Sequence, residues 1–303
     1  MYEGDDVSTV WLSSFLAVVD HGSFTAAATA THRSQPRVSA HVAALERRVG
    51  ARLMERDARR TSLTEAGTRL LPHARAALAE IRAGVASVSS LAGDLQGTVT
   101  VGSFAGPSGV LLAPLIRRFR ETYPHVVIDL REGTPHWLEE AATTFAVELA
   151  LRTADVPMQH RLRSEHLMTE RIVLAVPEEL GDLDGEEQTR HRVLDGRSIV
   201  VTGAPAEGWT DFADRLSACG VTPSSVTTVT HPTTVIALVR AGMGVGLLGE
   251  MGATVSAFDG VRLLRLSADV WTREIRVYWN DRRRLDTATR FFLDALLEES
   301  ENR

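Results

Sequence analysis

Around the apolar residues Val38, Val42 and Leu45 the chain sets Gln35, Arg37, Ser39, Ala40 and His41. The apolar three recur at i, i+4 and i+7, one face of a helix, so the polar residues fall on the other faces near its start. An amide, a guanidinium, a hydroxyl and an imidazole in this order can hydrogen-bond base edges and phosphates in a DNA major groove. On spacing alone they fit equally well the solvated face of a small helical bundle. Charge bears on the choice. From His21 to Ser62 lie Arg33, Arg37, Arg47, Arg48, Arg52, Arg56, Arg59 and Arg60 against Glu46, Glu55 and Asp57, a surplus of five positive charges. The whole chain carries −6, so the remainder carries −11, and a uniform reading of net charge would miss the basic segment.

The elements that must hold these residues are legible on either side. Trp11, Leu12, Phe15, Leu16, Val18 and Val19 repeat at helical spacing behind Ser8, a capping residue, and His21-Gly22 ends that helix. Ser23 is placed to cap a short alanine-rich helix over 25–31, and Ser34 to cap a third from Gln35 to Val49, with Gly50 as its stop. Pro36 is tolerated in a first turn. Two helices joined so tightly make a helix-turn-helix, and Ala26, Ala27 and Ala30 allow close packing. The stretch from Leu53 to Thr64 reads as two short strands around an arginine-bearing turn, a wing whose tip can enter a narrow, strongly negative minor groove. Beside the helix-turn-helix, the wing favours DNA over a merely solvated arginine cluster.

In fixed register the residues Leu12, Phe15, Val18, Gly22-Ser23-Phe24, Ala26-Ala27, Ser34-Gln35, Ser39, Leu45-Glu46, Gly50, Leu53, Arg56 and Leu63-Thr64-Glu65-Ala66-Gly67 resemble the LysR-type transcriptional regulators. Ala30 and Met54 depart from the family's usual leucine and phenylalanine but stay apolar. The resemblance implies an N-terminal all-α winged helix-turn-helix and a C-terminal α/β, periplasmic-binding-protein-like domain of two lobes. It implies that Gln35, Pro36 and Ser39 lie against base edges and that Arg59 reaches the minor groove. The candidate DNA contacts are Ser34, Gln35, Pro36, Arg37, Ser39, His41, Arg56 and Arg59. The expected partners are double-stranded operator DNA, a small-molecule effector, further copies of the chain as dimer and tetramer, and RNA polymerase.

Thr64 can cap a long helix reaching about residue 92, in which Leu71, Ala74, Leu78, Ile81, Val85 and Val88 follow at spacings 3, 4, 3, 4, 3. This is a heptad seam, either packed on its own domain or, as the position between a small domain and a hinge favours, paired with a second chain. Pro72 interrupts the hydrogen-bond ladder and can kink the helix. The expected organisation is a winged helix-turn-helix over 1–64, a dimerisation helix over 65–92, a hinge over 93–97 and an effector-binding domain over 98–303. Its first lobe covers 98–167 and 268–303, its second 168–267.

From Thr98 onward strand-like runs alternate with helical patterns: 99–101, a helix over 109–123, 126–130, a helix over 135–144, and 147–151. A second series runs 172–176, 198–202, a helix over 207–218, 226–229, a helix over 233–241, and 245–248. Such alternation predicts a mostly parallel sheet in each of two lobes. The last strand and helix, 274–279 and 286–297, are expected to return to the first lobe. By position in the family, the pocket is lined by Ser103 and Phe104, Thr202 and Gly203, and Thr230 and His231. Ser103 with the nearby helix amides can bind an anionic group, or simply cap that helix. The family often writes Gly-x-Leu-Asp-Leu-Ala at the third strand, where this chain has Phe145-Ala146-Val147-Glu148-Leu149-Ala150.

Gly244-Val245-Gly246-Leu247-Leu248-Gly249 matches the pattern of a dinucleotide fingerprint, but these glycines follow a helix and lead into a strand, the reverse of the required order. The competing reading, a cytoplasmic ligand-binding module or enzyme with an incidental helical N-terminus, finds no nucleophile elbow, P-loop or paired catalytic acids. A redox sensor would need a partner for Cys219, the one cysteine. Histidine spacing matches no metal site, and no cofactor is expected. The acidic start and the lack of a membrane-length apolar run predict a cytoplasmic protein.

Overall fold

The computed structural model describes residues 7–56, 61–89, 95–180, 190–203, 209–282 and 284–301. The chain divides into two compact units, one formed by 1–93 with 144–146 and one formed by 94–143 and 147–303.

In the first unit, α1 (Thr9–His21), α2 (Phe24–Ala30) and α3 (Gln35–Val49) precede a hairpin of β1 (Met54–Arg56) and β2 (Thr61–Leu63) and the long α4 (Glu65–Ser89). Ser8 Oγ accepts from Val10 N, and Ser23 Oγ from Ala26 N, so both expected caps form. Ser34 occupies the N-cap position of α3 without a side-chain cap bond. The reason is local: a cap accepts from the second or third helical N–H, the second belongs to Pro36, and Arg37 N donates to the Ser34 carbonyl instead. Gly22 and Gly50 end α1 and α3 in the left-handed region, as their places in the sequence predict. Thr64 Oγ1 accepts from Gly67 N and opens α4, which runs through Pro72 unbroken. Phe15, Val18, Val38, Val42, Leu45 and Leu53 form the centre of this unit's core.

The seam of α4 divides. Leu71 and Ala74 are buried in the core of their own domain and Leu78 packs against it, whereas Ile81 and Val85 are 50% and 65% exposed. Leu71 and Ala74 are therefore corrected from a seam between chains to intradomain packing. The side chain of Val88 lies outside the described residues.

The second unit is an α/β body in two lobes. The first lobe orders its strands β4 (Val126–Glu132), β3 (Gly97–Ser103), β5 (Leu149–Thr153), β11 (Thr272–Trp279) and the first part of β6 (Arg163–Pro177). The second orders the end of β6, β9 (Val245–Gly249), β7 (Ser198–Thr202) and β8 (Ser225–Val229), with β10 (Val261–Arg265) on the other side of β6. Pairing is parallel around β3 and β7 and antiparallel around β6 and β11, so each sheet is mixed. Strand β6 joins the lobes: up to Arg171 it pairs with β11, and from Ile172 with β9. The lobe boundary expected at 167–168 thus falls inside a strand that still belongs to the first sheet. As expected, β11 returns the chain to the first lobe.

Helices cover these sheets. A helical run of α5 (Ala105–Pro107), a π turn (Ser108–Leu112) and α6 (Ala113–Thr122) packs with α11 (Thr287–Glu301) on the first lobe. α7 (Pro135–Thr143) follows β4. In the second lobe α8 (Trp209–Ala218), α9 (Pro232–Arg240) and α10 (Glu250–Thr254) follow β7, β8 and β9. Phe145, where the family writes glycine, has φ +57°, the left-handed region that glycine enters without strain. Glu148 Oε2 accepts from Thr100 N, tying the third strand to the first.

Candidate functional site

Two sites emerge, one in each unit. In the first, the face of α3 carrying Val38, Val42 and Leu45 is fully buried, and this fixes the rotation of the helix. Ser34, Gln35, Pro36, Arg37 and Ala40 are consequently exposed, and Ser39 is half-buried. His41 differs from expectation. Its Nδ1 lies 2.8 Å from the oxygen of buried Ser14, which also accepts from Arg33 Nη1 at 3.2 Å. Either the serine hydroxyl donates to Nδ1 or the ring donates to the serine oxygen, and in both cases Nδ1 is engaged within the domain. Burial, then the charges of Arg33 and Arg37, lower the His41 pKa from its ordinary value of 6.5, which favours the neutral ring. His41 therefore anchors α3 to α1 and has only Nε2 to offer outward.

The wing's root is fixed by Glu46, whose Oε1 accepts from Leu53 N at 2.9 Å and Met54 N at 3.2 Å. Arg56 ends β1, with its side chain outside the described residues, and Arg59 lies outside them altogether.

The second site is a cleft of about 270 Å³ between the lobes of the second unit. In an open α/β sheet, the turns after the carboxyl ends of parallel strands surround a crevice. Here those turns follow β3, β4 and β5 on one wall and β7, β8 and β9 on the other. Phe104, Thr202, Gly203, Thr230 and His231 all line it. Ser103 does not: it is fully buried, and its Oγ reaches only the Phe104 carbonyl, at 3.4 Å. Nor does it cap the helix, whose N-cap is Phe104. Side chains at the end of β3 alternate, and residue 103 points into the lobe where 104 meets the cleft.

Sequence reasoning missed the turn Glu132–Pro135, the pair Asp155 and Val156, and Arg273, all of which line the cleft. The first two groups follow β4 and β5, so the strand-end rule that found Thr202 and Thr230 would have found them once those strands were placed. Arg273 Nε donates to Glu170 Oε2 at 2.7 Å, and its guanidinium lies over the Phe104 ring, 5.6 Å from the centroid. Glu170, buried, also accepts from Met251 N at 2.8 Å. A β-carbon on Gly249 would sit within about 2.5 Å of Arg273 Nη2 and of both Glu170 carboxylate oxygens, so this ion pair would have to shift to admit one. The glycines 244–249 thus serve strand β9 and its surroundings.

The loop bearing Asp155 is held from beneath. Arg152 Nη1 contacts Glu139 Oε2 at 3.2 Å, and Arg152 Nη2 donates to the Val156 and Pro157 carbonyls at 2.8 and 3.4 Å. Glu139 Oε1 accepts from Gln159 N and His160 N, each at 2.6 Å. Both charged groups are almost wholly buried.

Residues 10–68 match the family model of bacterial regulatory helix-turn-helix proteins of the lysR family, and 92–301 match the LysR substrate binding domain. The chain is 30% identical to the HTH-type transcriptional regulator AlsR of Bacillus subtilis over 77% of each chain. It is 28% identical to the HTH-type transcriptional regulator CrgA of Neisseria meningitidis serogroup C over 96% of each. Its fold is similar to a full-length OxyR variant from Pseudomonas aeruginosa, with TM-score 0.71 and 19% identity over 97% of this chain and 95% of that one. Full-length CbnR, solved in complex with its target DNA, gives 0.67 and 20% over 97% and 100%. With both of its units matched in order, the chain belongs to the LysR family of transcriptional regulators.

Proposed function

We propose that the regulator reads its operator with the first turn of α3 and with its wing, and that an effector in the interlobe cleft alters that reading. The observation that carries the first part is the complete burial of Val38, Val42 and Leu45, which turns Gln35, Pro36 and Arg37 to solvent together. Gln35, Pro36 and Ser39 contact bases. Ser34, Arg37 and Arg56 contact phosphates, Arg59 enters the minor groove, and His41 contributes through Nε2. CbnR was solved on its target DNA, and the same use of the shared fold is proposed here. Phe104, Thr202, Gly203, Thr230 and His231 contact the effector, while Ser103 stands behind Phe104 as support.

The division proposed is a DNA-binding domain over 1–64, a linker helix over 65–92, a hinge over 93–97 and an effector domain beyond. Self-association uses the exposed part of α4 at Ile81 and Val85, giving dimers and, from them, tetramers, with RNA polymerase as a further partner. A bacterial regulator that reads operator DNA acts in the cytoplasm, where that DNA lies. Among the described residues no helix is long and apolar enough to cross a membrane.

The test is a gel-shift titration of the full chain on DNA flanking its own gene and on random duplex. Gln35→Ala is expected to lose about 1–3 kcal/mol of discrimination between the two. Equal losses on both would remove Gln35 from base reading.

A further inference from the structure

Resting on the reading that the effector occupies the interlobe cleft, we infer that this effector has a compact apolar body and an organic ammonium head that pairs with Asp155. The charges in the cleft carry the inference. Half-buried Asp155 lines it, with no hydrogen bond or ion pair to its side chain among the described residues; its Oδ1 is closed off even from the open cleft, so a ligand there meets the rest of the carboxylate. A partly desolvated carboxylate without a donor is costly, and a ligand in the cleft that brings a charged donor lowers that cost. Glu132 places a second carboxylate on the same wall. The arginine that lines the cleft offers no offsetting attraction for an anion, because Arg273 is matched at 2.7 Å by buried Glu170. Arg152, beneath the loop, is matched by Glu139 and bound to the Val156 and Pro157 carbonyls.

Two of the helix starts around the cleft also have fewer donors for an anion. Anion binding there uses the free N–H groups of a first turn. These helices, α7 and α9, begin with Pro135 and Pro232, which have no N–H, whereas the first turn of α5, at Ala105 and Gly106, keeps its own. The rest of the wall supplies Phe104, Val156, Phe212 and Leu248, surfaces for an apolar body. A volume of about 270 Å³ suits a body of one ring. The Arg152–Glu139 network fixes the backbone on both sides of the loop, so Asp155 is held in place before the ligand arrives.

Three probes of nearly equal shape test this on the full-length protein by calorimetry: benzylammonium, benzyl alcohol and benzoate. Benzylammonium is expected to bind at least about tenfold more tightly than benzoate, with benzyl alcohol between. In Asp155→Asn the ammonium should fall to within about threefold of the alcohol, while alcohol binding and the melting transition stay near wild type. The wild-type order needs no variant, so a poorly folding Asp155→Asn would not remove the test. Thr202→Trp, which fills the cleft from the opposite wall, separates the two levels of the reading. Probes that bind this variant as well as wild type sit elsewhere, and both the cleft reading and the inference fall. Benzoate preferred by wild type and lost in Thr202→Trp keeps the cleft and overturns the ammonium. No binding of the ammonium probe, or binding indifferent to Asp155→Asn, overturns it equally.

Discussion

Arg152 and Glu139 show how much of the cleft depends on residues that never line it. Their pairing is buried on both sides, and a buried pair contributes little net stability until one partner is removed, when the other becomes an uncompensated charge. Arg152→Ala is therefore expected to destabilise the protein by about 3–5 kcal/mol, read from the shift of its urea midpoint. Glu139 adds a pH signature. Burial alone would raise its pKa, but hydrogen bonds from His160 N, Gln159 N and the His160 ring, with the charge of Arg152, outweigh it and hold the carboxyl below 4.5. A carboxylate with a depressed folded-state pKa stabilises the fold above its unfolded value, and that contribution disappears as pH falls through the folded value. Stability should decline as pH drops below about 4.5, and Glu139→Gln should flatten the decline in denaturant titrations across that range. An equally steep fall in both proteins would mean that other carboxylates dominate. None of this was legible in the sequence, because Glu139, Arg152 and His160 sit on a helix, a strand and a loop that only the folded lobe brings together. Gln35 and Arg37 were legible, since their exposure follows from the spacing of three neighbours on one helix.

At the scale of elements, α4 illustrates a pattern that is correct in period and ambiguous in partner. A heptad reports that one stripe is apolar but not whether the stripe meets its own domain or another chain. Here it does the first at Leu71 and Ala74 and leaves Ile81 and Val85 exposed. The two halves should respond differently to charge. Leu71→Asp buries an unpaired carboxylate and is expected to unfold the DNA-binding domain. Ile81→Asp should change stability by no more than about 0.5 kcal/mol while shifting sedimentation toward smaller species. An unchanged sedimentation coefficient for Ile81→Asp would place self-association elsewhere. Most other elements followed from periodicity within a residue or two, including the strand 198–202 and the helices α3 and α7. The first half of β6 did not, since Arg163-Ser164-Glu165-His166 and Thr169-Glu170-Arg171 are mostly charged or polar and lack the β-branched alternation that marks a strand. That half gains its strand pairing from β11, more than a hundred residues away, a tertiary cause that no local window contains.

For the molecule as a whole, the distribution of charge decides how it approaches DNA. A chain with net −6 is repelled by a polyanion at long range, yet the segment from His21 to Ser62 holds five surplus positive charges. Binding must then be led by that segment, and each phosphate it neutralises releases condensed counterions, so the logarithm of the binding constant falls with that of salt by about 0.9 per contact. Arg37 is exposed at the start of the reading helix, and Arg37→Ala should reduce the slope by about one while weakening specific and random duplexes alike. Arg117 offers the control. It is an exposed arginine of the acidic second unit, paired with Glu121 at 3.3 Å, and its removal changes net charge by the same amount. If net charge governed affinity, both variants would shift the salt titration equally. If counterion release at the helix-turn-helix governs it, only Arg37→Ala changes the slope. Gel-shift titrations of the three proteins from about 50 to 200 mM salt distinguish these outcomes, and equal slopes for the wild type and Arg37→Ala would show that Arg37 meets no phosphate.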